Sequence, residues 1–228
     1  MLVGKVVAAG LAAYYKDVSV DLSAMLEAGM PEGSAWSMEG LLKLVLKAVN
    51  AGVKTGIPFG GRIIAVEKNV GGAYPDLVWR NEQGGLEFCD HKVSLNLDSR
   101  YLSQRLQQYN TSWQLFDYAW RIEQVYGEPV KAAYVHQIIL HPKCQAILHP
   151  IILTPERLLA WSEQALAVSE QMDYEREHPE VMWQNWTSCT NNPFTQDHLC
   201  DFYDACHVLG GNESKFYSLY DVKQVREE

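Results

Sequence analysis

The sequence lacks the features that mark a membrane-bound or secreted protein. No apolar run approaches the about 20 residues that a helix needs to span a bilayer. The amino terminus has no basic segment followed by the apolar core of a signal peptide. Cysteine is scarce, and five is an odd number that does not suggest a secreted disulfide framework. We therefore expect a soluble, cytoplasmic protein that does not bind membranes.

The sequence also lacks internal repeats and low-complexity tracts that would divide it into segments. Its 228 residues, 47% of them hydrophobic, are enough to bury a full core. We expect one domain over residues 1–228, with a core at about 38–175 and a cysteine-bearing tail at 180–228. Two smaller domains are the alternative.

Basic residues are too few to make the chain positive, since 19 Lys and Arg stand against 28 Asp and Glu, for a net charge of −9. Phosphate binding is driven mainly by Lys and Arg that displace counterions. We therefore expect a narrow basic path rather than a basic protein, or else scattered solubilising charges. The residues that could form the path are Lys43, Lys47, Lys54, Arg100, Arg105 and Arg121.

Acidic residues fall in two successive runs that read as β-strands. Residues 62–70 are β-branched and apolar up to Glu67, and residues 73–80 form a second such run with Asp76 in its Pro-Asp pair. The sequence NEQGG at residues 81–85 is a turn signal, after which a return strand is expected. Glu67 and Asp76 therefore precede that strand at hairpin spacing.

The return strand, Leu86–Ser94, places an acid and a lysine on one face. Because strand side chains alternate, Asp90 and Lys92 point one way, whereas Cys89 and His91 point the other way. A divalent cation such as Mg²⁺ takes a few oxygen ligands, so carboxylates at neighbouring strand ends suit it. The lysine is close enough to orient or deprotonate an attacking water. The pattern indicates a metal-dependent phosphodiesterase; an ordinary ion pair at a solvated strand end is the alternative for the tripeptide alone.

The order of these residues resembles the PD-(D/E)xK nuclease superfamily, and within it the RecB-like exonucleases of recombination, phage and CRISPR-associated systems. That family carries a strand acid, an aspartate, an acid-x-lysine and then a Gln-x-x-x-Tyr, whose spacing of four places both residues on one helix face. The resemblance extends over residues 62–140. The matching residues are Glu67, Asp76, Asp90, Lys92, Gln114 and Tyr118.

The resemblance implies an α/β fold with a restriction-endonuclease-like α/β/α core, a central mixed β-sheet flanked by helices, and helical N- and C-terminal extensions. It implies a metal-dependent DNA nuclease of bacterial or phage origin, an exonuclease acting on DNA ends in recombination, repair or phage DNA processing. Mg²⁺ or Mn²⁺ would be bound by Asp76, Asp90 and the backbone carbonyl of His91, with Glu67 completing the shell and Lys92 positioning the water. The expected partners are single-stranded or duplex DNA ends, and a recombination or replication protein or a second copy of the chain.

The first helix departs from the family. RecB-like enzymes carry a metal-binding histidine there in a Gly-x-x-x-His context, but Ala8 stands four residues after Gly4, and the first histidine of the chain is His91. A catalytically inactive, nuclease-derived nucleic-acid-binding module is therefore the alternative function. A third reading, outside the superfamily, is a small-molecule or protein-binding domain in which the acids form ion pairs.

The tail carries Cys189, Cys200 and Cys206. RecB-like enzymes often end in a cysteine-bearing segment that in some members ligates an iron–sulfur cluster with a fourth, N-terminal cysteine. Four thiolates are the usual requirement, and no cysteine precedes Cys89. We expect reduced cysteines that pack the tail onto the core. An iron–sulfur cluster, or zinc bound by these cysteines and a tail histidine, is the alternative.

The remaining signals complete a sheet between helices. Residues 29–33 read as a loop, and Gly127 and Pro179 mark the ends of two helices. The predicted elements are helices at Val3–Lys16, Met38–Ala51, Leu102–Tyr126 and after Thr154-Pro155, with strands at Val130–Leu140 and Gln145–Leu153.

Overall fold

The computed structural model describes residues 2–31, 36–96, 106–141 and 143–178. The chain divides into two compact units, Met1–Ala165 and Leu166–Glu228. Of the second unit only residues 166–178, the end of one helix, are described. The single domain expected over residues 1–228 therefore stays a prediction.

The sheet is mixed, with strands in the order β1-β2-β3-β4-β5. Neighbouring strands pair antiparallel except β3 and β4, which are parallel and are joined by a helix. No helix among the described residues is long and apolar enough to cross a membrane. The elements are α1 (Leu2–Lys16), α2 (Leu22–Gly29), α3 (Met38–Val53), β1 (Arg62–Val66), β2 (Leu77–Arg80), β3 (Leu86–Asn96), α4 (Trp113–Tyr126), β4 (Val130–His141), β5 (Gln145–Ile151) and α5 (Pro155–Glu177).

Helices cover both faces of the sheet, so the first unit has the three layers of an α/β/α fold. One face packs against α1, α2 and α3 through a cluster that includes Leu11, Val45 and Leu77. The other face packs against α4 and the first turns of α5 through a cluster that includes Phe88 and Ile122. The predicted α/β class, with a mixed sheet flanked by helices, is confirmed. We call these the α1 face and the α4 face of the sheet.

Helix ends follow from local capping. The Ser37 side chain accepts a hydrogen bond of 3.1 Å from the Gly40 N–H and starts α3. Gly127, at a φ of 70°, ends α4 as predicted. Sequence reasoning missed α2, whose N-cap residue is Asp21. Its last residue is Gly29, so the loop predicted from that glycine begins one residue later.

The first two strands are shorter than predicted. Instead of continuing to residue 70, β1 ends at Val66, because Glu67 adopts a φ of 45° that is incompatible with an extended strand. Instead of starting at residue 73, β2 starts at Leu77. The preceding Pro75 has no N–H to donate to a ladder. As a result Glu67 and Asp76 lie at the ends of strands, next to each other along one edge of the sheet.

Candidate metal centre

Two carboxylates meet on the α4 face of the sheet. The antiparallel register of β2 and β3 pairs Leu77 with Cys89, so continuing it by one residue places Asp76, just before β2, opposite Asp90. Because side chains alternate along a strand, Asp76 shares a face with Val78, and Asp90 shares a face with Phe88. Val78 and Phe88 both belong to the cluster that packs against α4. The structure therefore brings the two predicted metal ligands to the same side of the sheet.

Burial raises the pKa of both carboxyl groups. Burial is the main cause of the rise of the Asp76 pKa to about 7, the charge of Asp90 adds to it, and the His91 N–H and the Lys92 charge oppose it. Burial also raises the pKa of Asp90, against the opposing effect of Lys92. A divalent cation between the two groups would relieve this cost, because it favours their charged forms. The donor set therefore fits a hard cation that prefers oxygen ligands.

A chain of polar contacts links this pair to α4. Lys92 Nζ lies 2.8 Å from Asp90 Oδ2 and donates a hydrogen bond of 2.9 Å to Gln114 Oε1. Gln114 Nε2 in turn donates a bond of 2.7 Å to the Tyr118 hydroxyl. Burial lowers the pKa of Lys92, but the Asp90 charge outweighs it and the net pKa is raised. Lys92 is therefore a fixed positive charge at neutral pH.

The backbone of His91 is part of the same centre. Its N–H donates a hydrogen bond of 2.5 Å to Asp76 Oδ2. The N–H and carbonyl of one strand residue point to the same side of the strand. The His91 carbonyl, predicted as a metal ligand, therefore points toward the side where Asp76 lies.

Glu67 lies at the margin of the centre. Its backbone N–H donates to the Asp76 carbonyl at 3.0 Å, and its charge contributes to the raised pKa of Asp76. Its carboxylate, however, is oriented toward α1, where Lys16 Nζ lies 3.8 Å away. Ala8, also on α1, offers no metal ligand. The structure thus groups Asp76, Asp90, Lys92, Gln114 and Tyr118 closely and Glu67 more loosely; the catalytic roles of all six stay predictions.

Other predicted residues lie elsewhere. Two of the expected basic residues are engaged in ion pairs: Lys43 Nζ lies 2.5 Å from Glu39, and Arg121 Nε lies 2.8 Å from Asp117. The residues that fall outside the described part of the chain are Arg100, Arg105, Cys189, Cys200 and Cys206.

Sequence reasoning missed a second cluster, on the α1 face. Cys89, His91 and His136 bring a sulfur and two imidazole nitrogens within 4.8 Å of one another, and this group could hold a metal ion. Burial lowers the pKa of His91 to about 3, with help from His136, and that of His136 to about 4. Burial also raises the Cys89 pKa well above its usual value. The signal was the His-Gln pair at residues 136–137, two polar residues inside the apolar strand YVHQIIL.

A buried polar network was also missed. Gln137 pairs with Lys92 across β3 and β4, and so lies on the α4 face. Its Nε2 contacts Ser94 Oγ at 3.2 Å, and its Oε1 accepts from His149 Nε2 at 2.9 Å. These buried polar side chains continue from the acidic centre toward β5.

A groove of about 820 Å³ opens beside Lys92. It is bordered by the start of α1, including Lys5, and by residues that precede and begin α3, including Trp36. Trp36 is 59% exposed. The groove therefore lies on the α1 side of β3 and is lined mostly by apolar residues, with Lys5 and Lys92 as its basic residues and Trp36 and His91 as its aromatic rings.

Comparison with known proteins does not identify a family. No family model matches the chain, and no curated protein matches it significantly. Among solved structures, the chain is similar to the crystal structure of SSO0001, with 15% sequence identity, 73% of this chain and 73% of that chain covered, and a TM-score of 0.28. A similarity this weak carries no argument about fold or function.

Proposed function

We propose that this chain is a Mg²⁺- or Mn²⁺-dependent DNA nuclease, an exonuclease of the RecB-like PD-(D/E)xK type that acts on DNA ends in bacterial or phage recombination, repair or DNA processing. One observation carries the proposal. Asp76 and Asp90 lie opposite each other on one face of the sheet, and the Lys92 ammonium lies 2.8 Å from the Asp90 carboxylate. An ordinary surface ion pair would not need a second buried carboxylate beside it.

The side chains divide the work of phosphodiester hydrolysis. Asp76, Asp90 and the His91 carbonyl would bind the cation, which would neutralise charge on the phosphate and acidify a bound water. A bond forms between the water oxygen and phosphorus, the bond from phosphorus to the sugar oxygen breaks, and that oxygen leaves with a proton. Because the pKa of Lys92 is raised, this residue orients the water and stabilises negative charge rather than accepting a proton.

The helix α4 positions Lys92. Gln114 Oε1 accepts from the ammonium at 2.9 Å, and the Tyr118 hydroxyl holds the other end of the Gln114 amide at 2.7 Å. Precise placement of a catalytic group contributes strongly to rate, so both helix residues are positioning residues. The Gln-x-x-x-Tyr spacing places both residues on one helix face, where Tyr118 holds Gln114 and Gln114 holds Lys92.

The groove beside Lys92 supports a nucleic-acid substrate. Lys5 and Lys92 supply positive charge, and Trp36 supplies a ring on which a base can stack. Against a net charge of −9, this is a local site of two lysines rather than a basic surface. A DNA end that lies in the groove would have its phosphate near Lys92, which pairs with Asp90.

An inactive nucleic-acid-binding module is the second candidate. It is favoured by Ala8, which stands where RecB-like enzymes carry a metal-binding histidine. It is also favoured by the Lys16–Glu67 contact of 3.8 Å, which orients one predicted ligand away from the acidic pair. Such a module would bind DNA ends without cutting them.

Incubation with end-labelled linear and circular DNA separates these candidates. With Mn²⁺, the exonuclease degrades linear but not circular DNA, and EDTA stops the reaction. Asp117→Asn serves as a control, because this half-buried α4 residue pairs only with Arg121 among the contacts described. Binding to linear DNA without cleavage would favour the inactive module, and neither binding nor cleavage would refute both.

A further inference from the structure

We propose that Cys89, His91 and His136 form a second metal site, which holds a structural zinc ion on the α1 face of the sheet. All three side chains face away from the acidic centre, since Asp90 lies between Cys89 and His91 in an alternating strand. The inference therefore does not depend on the proposed nuclease function. It would hold equally for an inactive DNA-binding module.

The strand register brings the donors together. His91 and His136 pair directly across the parallel strands β3 and β4, and Cys89 precedes His91 by two residues on the same face. The two Nδ1 atoms are 3.0 Å apart, and the three donors lie within 4.8 Å of one another. Donor atoms around a tetrahedral zinc lie about 3.3–3.6 Å apart, given Zn–N and Zn–S bonds of about 2.0 and 2.3 Å. Small side-chain rotations therefore suffice to bind the ion.

Unpaired polar atoms lie around the proposed zinc position. The Nε2 atoms of His91 and His136 and the Tyr15 hydroxyl are buried without a hydrogen-bond partner among the described residues. A zinc bound by the two Nδ1 atoms, with a water on the ion, would account for the Tyr15 hydroxyl, and each Nε2 atom would take a water of its own. Buried polar atoms are costly to leave unpaired, and an ion or ordered water is a usual explanation for those that are.

Two helices pack over the cluster, which borders the groove at His91. Tyr15 of α1 stacks on His91, with ring centroids 5.8 Å apart and planes inclined by 10°. Gly52 of α3 lies over His136, where a Cβ atom would come within 3.2 Å of the imidazole Cε1 and 2.9 Å of Leu11 Cδ2. A side chain at this position would therefore collide with the cluster or displace the helix. The close approach of α3 requires a glycine here.

The donor types select the metal. One thiolate and two imidazoles suit zinc, whereas Mg²⁺ and Mn²⁺ prefer carboxylate, carbonyl and water oxygens. A structural zinc has four ligands, so one position remains beyond the three side chains. We assign the fourth position to a water held by Tyr15, because the ring of this residue stacks on His91 and its hydroxyl is buried without a hydrogen-bond partner among the described residues.

Metal content and X-ray absorption test the site. The tail cysteines could bind zinc themselves, so the experiment uses protein in which all three are replaced by serine. After purification from zinc-supplemented cells we expect one zinc per chain, with one sulfur and three nitrogen or oxygen ligands. Adding Cys89→Ala should remove the zinc, whereas Cys144→Ala, at a cysteine that contacts Leu140, should leave it. The substituted residues of the background are Cys189, Cys200 and Cys206.

Each of the contrary results overturns the site. Absence of stoichiometric zinc from the folded serine background would do so, as would zinc that persists in Cys89→Ala. If either variant is insoluble, X-ray absorption on the unsubstituted chain decides: a zinc with a single sulfur ligand supports the site, whereas no zinc, or zinc bound by three or four sulfurs, refutes it.

The fourth position has its own test. Tyr15→Phe should weaken zinc binding about 10–100-fold, as loss of an outer-shell partner usually does. Tyr14→Phe is the matched control, since the adjacent ring is 55% exposed. Equal zinc affinity in both variants would remove Tyr15 from the site while leaving the three protein ligands in place.

Discussion

The two faces of β3 carry opposite chemistry although four consecutive residues supply both. Toward α4, Asp90 and Lys92 form an ion pair with an N–O distance of 2.8 Å. Toward α1, Cys89 is buried, whereas His91 is half-buried and borders the groove between the helices. Burial raises the pKa of Asp90 but lowers that of His91 to about 3, because it disfavours the charged form in each case. One strand thus separates a site that prefers a hard cation from one that prefers a borderline metal.

The difference between the faces shows how the alternation of side chains along a strand can separate two sites that are supplied by adjacent residues. A sheet is one layer of backbone, and its side chains project in opposite directions. The backbone nevertheless connects the faces, because the His91 N–H donates to Asp76 Oδ2 at 2.5 Å. The residue whose imidazole belongs to the α1 face therefore orients a carboxylate of the α4 face. Variants on each face should reveal whether the sites are separable in practice.

The largest effect is expected from Asp90→Ala. Removing this carboxylate takes away one of the two carboxylates that we propose bind the cation, so Mn²⁺-dependent cleavage should be abolished and Mn²⁺ binding at this centre lost. Calorimetric titration with Mn²⁺ and a linear-DNA assay measure the two effects. Asp117→Asn on α4 should behave like the unsubstituted protein. Normal cleavage by Asp90→Ala would contradict the assignment of the α4 face as the reactive one.

Lys92→Ala should separate chemistry from cation binding on the same face. Positioning of a proton-transfer or water-orienting group typically contributes about 10²–10⁴-fold to rate, and the turnover rate should fall by that factor. Mn²⁺ affinity should change little, because the carboxylates remain. Equal loss of Mn²⁺ affinity in Lys92→Ala and Asp90→Ala would show that the lysine acts only by holding Asp90 in place.

His136→Ala, on the α1 face, should reduce the stability of the protein rather than its cleavage activity. Its imidazole is fully buried, so truncation should cost about 2–5 kcal/mol of the free energy of unfolding, as for other large-to-small core changes. Cleavage by the protein that remains folded should persist, since His136 does not face the acidic pair. Urea unfolding and the linear-DNA assay at low temperature test this. A His136→Ala variant with full stability but no cleavage would contradict this prediction, because His136 would then act in cleavage and not in stability.

The sequence allowed prediction of the α4 face because its signal is local. Asp90 and Lys92 are two residues apart in a strand bounded by a clear turn, and Gln114 and Tyr118 are one helical turn apart, so alternation and helical periodicity predict which pairs share a face. The resemblance to nucleases added the order of the motifs. Neither source predicted that Glu67 adopts a φ of 45° and pairs with Lys16, since that depends on how α1 packs.

The α1 face could not be predicted because its residues meet only through strand pairing. Cys89 and His136 are far apart in sequence, and the parallel register of β3 and β4 brings them together. No local pattern encodes that register. The buried His-Gln pair in β4 was a visible anomaly, but its partner became evident only in three dimensions. The short helix α2 was missed for a different reason, since eight residues are about two helical turns and are too few to show a clear periodicity.

The smallest expected effect is a difference in pH dependence between the faces of the metal-free protein. The pKa of Asp76 rises from 3.8 to about 7 on folding. The folded state therefore binds more protons than the unfolded state between these values, and this group makes stability fall as pH rises from about 4 to about 7. The pKa values of His91 and His136 fall from 6.5 to about 3 and about 4. The unfolded state binds more protons there, so these groups make stability rise with pH up to about 6.5.

The two contributions oppose each other in mildly acidic solution and can be separated with Asp76→Asn. The amide still accepts the His91 N–H but does not titrate, so the variant loses the falling contribution and keeps the rising one. Its free energy of unfolding relative to the unsubstituted protein should therefore increase from about pH 4 and level off above about pH 7. Urea unfolding in EDTA at several pH values measures this, with Asp117→Asn as the control for a carboxylate outside the acidic pair. A difference that is constant across the range would mean that Asp76 titrates alike in the folded and unfolded chain, and that burial at the acidic pair is not what distinguishes the α4 face.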